Sequence, residues 1–292
     1  MASSRDIRRR IKSVKSTAQI TKAMQMVAAS KMRKAQQSAL AGRPYASAMN
    51  GMLAELLPAC CDFVHPLMER REGGKRCVIL VSTDKGLCGA LNSALFREAV
   101  KFDKDTTVFI SAGRKAGQFL ARARRPLLAE FTYKDAPLFT EARAISKFAR
   151  EGFLKGDYNQ VDVLFTNFIS TLTQRPEVLP FLPIREIRSV SSDHYGEDLS
   201  RQLLKGATEF LFEPGAEHVL GALLPHYLNY RMFQVLLEAK ASEHSARMVA
   251  MKNATENANQ LVKDLTLQYN KMRQASITKE LLEIATAQMA LA

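Results

Sequence analysis

The chain has 292 residues, 47% of them hydrophobic, and a formal net charge of +13. That length allows one or two domains at roughly 100–200 residues each, and no apolar run approaches the ~18–20 residues that cross a bilayer. The charge is concentrated at the start: residues 1–54 hold 11 Lys/Arg against the single Asp6, whereas the other 31 cations face 28 acids. An anionic partner is therefore expected for the first fifth of the chain, whether nucleic acid, lipid headgroups or an acidic protein surface.

The first 41 residues contain neither Gly nor Pro. Ile7, Ile11, Val14, Ala18, Thr21, Gln25, Ala28, Met32, Ala35 and Ala39 recur at alternating spacings of 4 and 3. This spacing predicts a long helix, and its small side chains suit close, left-handed pairing with a second helix. The opening "MASSRDIRRRIKSVKST" imitates an organellar transit peptide in composition, but the periodicity runs straight through it, so it is read as part of the helix. "GRPY" at 42–45 could bend or end the helix. Apolar spacing resumes at Met49, Met52, Leu53, Leu56 and Leu57, and Pro58 is the firmer stop.

Cys60, Cys61, Cys77 and Cys88 form no CxxC pair. His65 lies near the first two, but a fourth metal ligand is missing, and reduced thiols are the simpler reading.

The period then changes. "RCVILVST" (76–83), "TTVFIS" (106–111), "VDVLFTNFIS" (161–170) and "EVLPFLPI" (177–184) are rich in β-branched and aromatic residues and predict buried strands. "LNSALFREAVKF", "RKAGQFLARAR" and "EARAISKFAREGFL" predict helices between them. Such alternation implies a mostly parallel, Rossmann-like α/β domain over about 75–187. "VSTDKGLCGALN" occupies the place of a phosphate-binding loop after the first strand. Its glycines, Gly86 and Gly89, give only GxxG, and Asp84 would set a carboxylate beside any phosphate. A tight turn is the reading adopted. Cys88, beside Lys85, is read as a buried structural thiol. The five histidines make no HxxxH or HExxH arrangement, and no nucleophile–base pair presents itself, so neither a catalytic constellation nor a cofactor is expected.

Residues 189–206 read as a polar connector. Pro225 marks either a first helical turn or a kink. From 226 to 292 there is again no Gly or Pro. Leu237, Ala241, His244, Met248, Met251, Thr255, Ala258, Val262, Leu265, Tyr269 and Met272 keep the heptad rhythm, and the stripe then steps to Ile277, Leu281 and Ile284, as a straight helix drifting roughly 20° per heptad requires. A helix of about 100 Å follows at 1.5 Å per residue. The Met-rich stripe is read as core. The tail "ATAQMALA" is uncharged, which suits an apolar sleeve as well as a frayed end. Each terminal helix needs another element to bury its stripe, and each is the natural partner of the other. The expected fold is α/β plus a long coiled coil, either antiparallel or parallel, made of residues 1–57 and 208–292.

"IRRRIKSVKSTAQITKAMQMVAASKMRKAQ", "STDKGLCGALN" and "ASEHSARMVAMKNATENANQLVKDLTLQYNKMRQASITKELLEI" together resemble the gamma subunits of the F-type ATP synthases, and the likeness covers essentially the whole chain. The resemblance implies an antiparallel left-handed coiled coil of the two terminal helices. It implies that this coil runs through a ring of alternating alpha and beta subunits. The Rossmann-like domain would sit at the foot beside the epsilon subunit (with delta in mitochondria) and the c-ring, binding no nucleotide. The protein would be a rotor, catalysis would belong to the beta subunits, and its place would be peripheral, on the cytoplasmic face of a bacterial inner membrane. Positions matching the family's contacts with the ring are Met24 on the first helix and Glu243, Arg247, Arg273, Gln274, Thr278, Glu280 and Glu283 on the last. Their partner in the family is an acidic loop of the beta subunit; Lys22, Lys31, Arg33 and Lys34 join them on grounds of charge alone. The connector has no cysteine, so the thiol-switch insert of plastid relatives is absent, and the tail is less glycine-rich than in many relatives.

Two rivals stand beside this reading. A nucleic-acid-binding coiled coil would explain the basic start, but not the near-neutral C-terminal helix. An enzyme using the α/β domain would need nucleotide binding that the loop does not promise.

Overall fold

The computed structural model describes residues 4–59, 65–71, 73–184, 213 and 215–291. Cys60, Cys61 and the connector at 189–206 lie outside these residues. In chain order the elements are α1 (Ser4–Ala59), β1 (Arg76–Val81), α2 (Leu91–Val100), β2 (Thr107–Ala112), α3 (Arg114–Arg122), β3 (Leu127–Phe131), α4 (Phe139–Lys155), β4 (Gln160–Phe168), β5 (Gln174–Leu182) and α5 (Ala216–Leu291). Two compact units result. One joins residues 1–28 to 247–292, and the other comprises residues 29–246.

The larger unit is built on a five-stranded sheet of order β3-β2-β1-β4-β5. The first four strands are parallel, and β5 returns antiparallel to β4. The pleat sends alternate residues to opposite faces. Cys77, Ile79, Val81, Val161, Val163 and Phe165 join one core with α4, the 46–56 stretch of α1 and the 220–239 stretch of α5. Val78, Leu80, Phe109 and Leu164 join a second core with α2 and α3. Helices thus cover both faces, which is why the central strands are apolar throughout rather than alternating. One exception is Asp162, buried in β4; its carboxylate takes the guanidinium of Arg76 and the side-chain amide of Gln160.

The sheet has one strand more than the sequence pattern predicts. β3, "LLAEF", is a short edge strand with mostly exposed or half-exposed side chains. It therefore lacks the buried apolar run that reveals its neighbours.

In this unit α1 and α5 run antiparallel. Tyr45 Oη lies 2.7 Å from His226 Nε2, and Tyr230 Oη donates to the Gly42 carbonyl at 2.5 Å. A Cβ on Gly42 would stand 2.6 Å from that hydroxyl, so the glycine permits the close approach. The rings of Tyr45 and Tyr230 pack 4.9 Å apart. This packing carries α1 in helical form through Gly42 and Pro44, and the helix ends only at Ala59, just past Pro58. Pro225 likewise lies inside α5 rather than in its first turn.

In the smaller unit the predicted stripes face each other. Ile7, Ala18, Thr21 and Ala28 of α1 are buried, as are Met251, Thr255 and Ala258 of α5. The hydroxyls of Thr21 and Thr255 meet at 2.7 Å, and Thr255 Oγ1 also bonds the Met251 carbonyl at 2.8 Å. Small residues bring the helices close, and the paired hydroxyls leave no buried polar atom of the two threonines unsatisfied.

Gly113 joins β2 to α3 with φ +103°, where an added Cβ would strike the Ser82 carbonyl. Gly156, with φ +82°, has open space around it. Gly113→Ala is expected to cost about 3 kcal/mol or more, from backbone strain and overpacking together. Gly156→Ala should cost about 1 kcal/mol. Urea denaturation of the two variants checks the order; equal losses would contradict this account of Gly113.

Candidate functional site

In an open parallel sheet, ligands enter at the carboxyl ends of the strands, where the strand order reverses. Here that point lies between β1 and β4. The chain itself occupies it. At the exit of β1, Asp84 Oδ1 accepts the Arg114 N–H at 2.9 Å, the Thr83 carbonyl accepts that of Lys115 at 3.1 Å, and Ser82 Oγ accepts that of Ala116 at 2.7 Å. The first three donors of α3, the groups an anion would seek, are already taken. The loop after β1 closes on itself: Thr83 Oγ1 donates to the Lys85 carbonyl at 2.8 Å and receives the Asn92 side-chain amide at 2.7 Å. The turn reading of "STDKGLCG" fits this geometry, and Cys88 is buried in it.

Helix α5 crosses the same end of the sheet. Ser242 Oγ donates to the Thr166 carbonyl of β4 at 3.0 Å, and Ser245 Oγ donates to the Thr171 carbonyl at 2.8 Å. Tyr133 Oη donates to the Ser82 carbonyl at 3.0 Å. Lys240 is only 1% exposed; its amine lies 4.6 Å above the Tyr133 ring and 2.9 Å from the carboxylate of Glu243. Asp135 Oδ1 stands 3.8 Å from the same amine, while its Oδ2 takes Lys31 of α1 at 2.5 Å. A buried ammonium is tolerable only with such pairing.

The network sets its own protonation. Burial first, then the charges of Glu243, Asp84, Asp135 and Glu141, pushes the Tyr133 hydroxyl well above its ordinary value, so it remains a donor. The hydrogen bond from Lys31, helped by the nearby charges of Lys240 and His244 against some desolvation, holds Asp135 below the usual carboxylate value. Its contribution to stability is therefore present above that ordinary value and is lost as pH falls through the depressed one.

The eight positions matched to the family's contact zone divide accordingly. Glu243 is 2% exposed and sits in the larger unit, where it holds Lys240. Met24 and Arg247 are half-buried in the paired helices of the smaller unit. Arg273, Gln274, Thr278, Glu280 and Glu283 are all exposed along α5. Thr278 Oγ1 donates to the Gln274 carbonyl at 2.9 Å, Ser276 Oγ meets Glu280 at 3.2 Å, and Lys279 pairs with Glu283 at 3.6 Å. Arg273 has no ion-pair partner among the described residues. Ile277, Leu281 and Ile284, which continue the apolar stripe, are also exposed; so is Met289, at 80%. A run of apolar and charged side chains this long, uncovered by its own chain, marks an interaction surface. Lys31 belongs to the Asp135 bridge, whereas Lys22, Arg33 and Lys34 are exposed. Sequence reasoning missed Lys240 and Asp135. A lysine on an inward helical face was the available signal, but nothing in the sequence places Asp135, 105 residues away, beside it.

Two long paired helices, with an α/β unit inserted between them in the sequence whose strand ends are bonded by residues of its own chain, define a class of coiled-coil proteins carrying an α/β unit. A family model described as ATP synthase matches residues 3–291. The chain is 49% identical over 294 residues to the ATP synthase gamma chain of Opitutus terrae and 46% identical over 296 residues to that of Methylacidiphilum infernorum, covering 100% of both chains each time. Among solved structures it is similar to a chain of the Euglena gracilis mitochondrial ATP synthase in rotational state 3, with TM-score 0.65 and 18% identity, over 99% of this chain and 94% of that one. It is also similar to a chain of the Tetrahymena thermophila central stalk and c-ring, with TM-score 0.59 and 24% identity, over 80% of this chain and 99% of that one. The chain belongs to the ATP synthase gamma chain family.

Lys240→Met removes the buried ammonium that faces Glu243 and Asp135 and should cost about 3–5 kcal/mol. Adding Glu243→Leu should restore roughly 2 kcal/mol or more, because the charge is removed with its partner. Urea denaturation of the single and double variants reads the coupling, and a double variant no more stable than the single one would refute the pairing.

Proposed function

We propose that this chain is the central-stalk rotor of an ion-driven ATP synthase. The segments 1–57 and 208–292, which carry its two terminal helices, act as one discontinuous coil through the ring of alpha and beta subunits. Residues 75–187 form the body that meets the epsilon subunit and the c-ring, whose proton- or sodium-driven turning it passes on. ATP chemistry belongs to the beta subunits. The assembly lies on the cytoplasmic face of a bacterial inner membrane, to which this chain is peripheral; among the described residues no helix is long and apolar enough to cross a membrane. What carries the reading is full-length similarity to ATP synthase gamma chains together with the uncovered run from Arg273 to Met289.

The mechanism follows from asymmetry. Three identical catalytic sites adopt different states only if something unsymmetrical touches each one differently. Driving one site from 1:99 to 99:1 takes about 5.5 kcal/mol of differential contact. A few charge-assisted hydrogen bonds of about 1.5–3 kcal/mol each reach that scale. They must also break on every step, which suits exposed side chains. Met24, Arg247, Arg273, Gln274, Thr278, Glu280 and Glu283 form the proposed contact set. Glu243, turned inward, serves it by fixing Lys240 and the course of α5. The basic face of α1, with Lys22, Arg33 and Lys34, meets acidic surfaces of the ring; no observation favours nucleic acid as its partner.

The full chain should co-purify with alpha, beta and epsilon subunits under mild conditions. Within that complex, Arg273→Ala should lower ATP turnover about tenfold through one lost charge-assisted contact, with assembly intact. A chain that never associates with an ATPase, or an Arg273→Ala complex that turns over normally, would count against the rotor or the contact set respectively.

A further inference from the structure

The sheet treats its two edges differently. β5, at one edge, carries Pro176 and Pro180, which have no N–H to offer a further strand. β3, "LLAEF", forms the other edge and has no proline. Its one charged residue, Glu130, does not guard that edge: the carboxylate lies against α3, 2.8 Å from where a Cβ on Gly117 would stand. Leu127 and Leu128 are exposed instead, at 37% and 46%.

An unprotected edge presents a row of backbone N–H and C=O groups on its outer side. β3 bonds β2 with one set of these groups, and no strand lies on its other side among the described residues. The ligand whose own groups repeat at the same spacing is an extended peptide.

Beside this edge lies a pocket of about 450 Å³. Val108, Leu128, Phe148 and Tyr158 form its apolar wall, and around it two lysines offset two carboxylates. Leu128 is the extra residue where the register between β2 and β3 shifts. The wall is set in place. Tyr158 Oη donates to the Ala149 carbonyl at 2.9 Å, and Gly152 admits the ring, since a Cβ there would strike the hydroxyl. Phe148 packs against the Phe131 ring at 5.8 Å. A firm apolar wall with balanced charges around it suits an aliphatic or aromatic side chain rather than an ion.

We propose that β3 takes up an added strand from a partner subunit, an extended apolar segment that sets one side chain in this pocket. Backbone bonding along the edge supplies affinity, and the pocket selects the side chain. The inference rests on the rotor reading for the presence of partner subunits.

The test is hydrogen exchange at Leu127–Phe131, in the free full chain and in the chain co-purified with its partner subunits. Exchange at these amides is expected to slow about tenfold or more on assembly. In Leu128→Lys, which changes an exposed side chain and sets a charge on the edge, exchange in the complex should return toward the free rate. The free variant should unfold at the temperature of the unmodified chain, so that lost protection reports lost pairing. A complex in which β3 exchanges as fast as in the free chain overturns the inference alone, as does a Leu128→Lys complex that keeps full protection. A chain that never associates overturns the rotor reading with it. A free chain that is dimeric, with β3 already protected, assigns the edge to a second copy and also overturns the proposal.

Discussion

Neither long helix can bury its own apolar stripe, and that constraint organises the molecule. A helix in water gains little from its backbone bonds alone and is held by what covers its apolar face. Here the cover for each end of the chain is the other end. Ala18, Thr21 and Ala28 lie against Met251, Thr255 and Ala258, and the seam is made of small residues with one shared hydroxyl pair. Small residues trade apolar area for closeness. Past Met272 the cover stops, and α5 continues with Ile277, Leu281 and Ile284 in the open. The paired part has its stability from within the chain; the part beyond Met272 has no such cover among the described residues.

The α/β unit applies the same principle to a different problem. A sheet of this topology carries a ligand crevice by construction. Instead of a ligand, the crevice receives Tyr133, Lys240, Ser242 and Ser245, which bond the strand ends and one another. A surface suited to reversible binding becomes a fixed joint between helix and sheet within one unit. Polar contacts suit that role because they are directional: a helix held by serine hydroxyls and a buried ion pair resists sliding in a way that apolar contact does not.

Much of this was legible in the sequence, for identifiable reasons. Gly- and Pro-free runs with 4/3 spacing gave away α1 and α5, and the stripe residues up to Met272 are buried or half-buried, whereas Ile277, Leu281 and Ile284 are exposed. Strands β1, β2 and β4 announced themselves because both faces are covered. β3 stayed hidden because an edge strand needs no apolar run. Pro44 and Pro225 were ambiguous because local rules stop helices at proline, whereas Tyr45, Tyr230 and their neighbours override the rule through packing. The direction of the helix pair was open from spacing alone, and only the family resemblance pointed to antiparallel. Within the candidate contact set the sequence could not separate Glu243 from its neighbours. Its burial depends on Lys240, one turn away, and on Tyr133 and Asp135 from a loop of the sheet.

The account stands on the two ends of the chain behaving as one body. Cysteines at 21 and 255, in a chain whose native cysteines are replaced by alanine, test this most directly. The native hydroxyls there are 2.7 Å apart, close enough for a disulfide to form on mild oxidation. The account predicts ready cross-linking, and a cross-linked chain that still assembles and supports ATP turnover at the rate of its reduced form. A pair that fails to cross-link, or an assembly that works only after reduction, would contradict it.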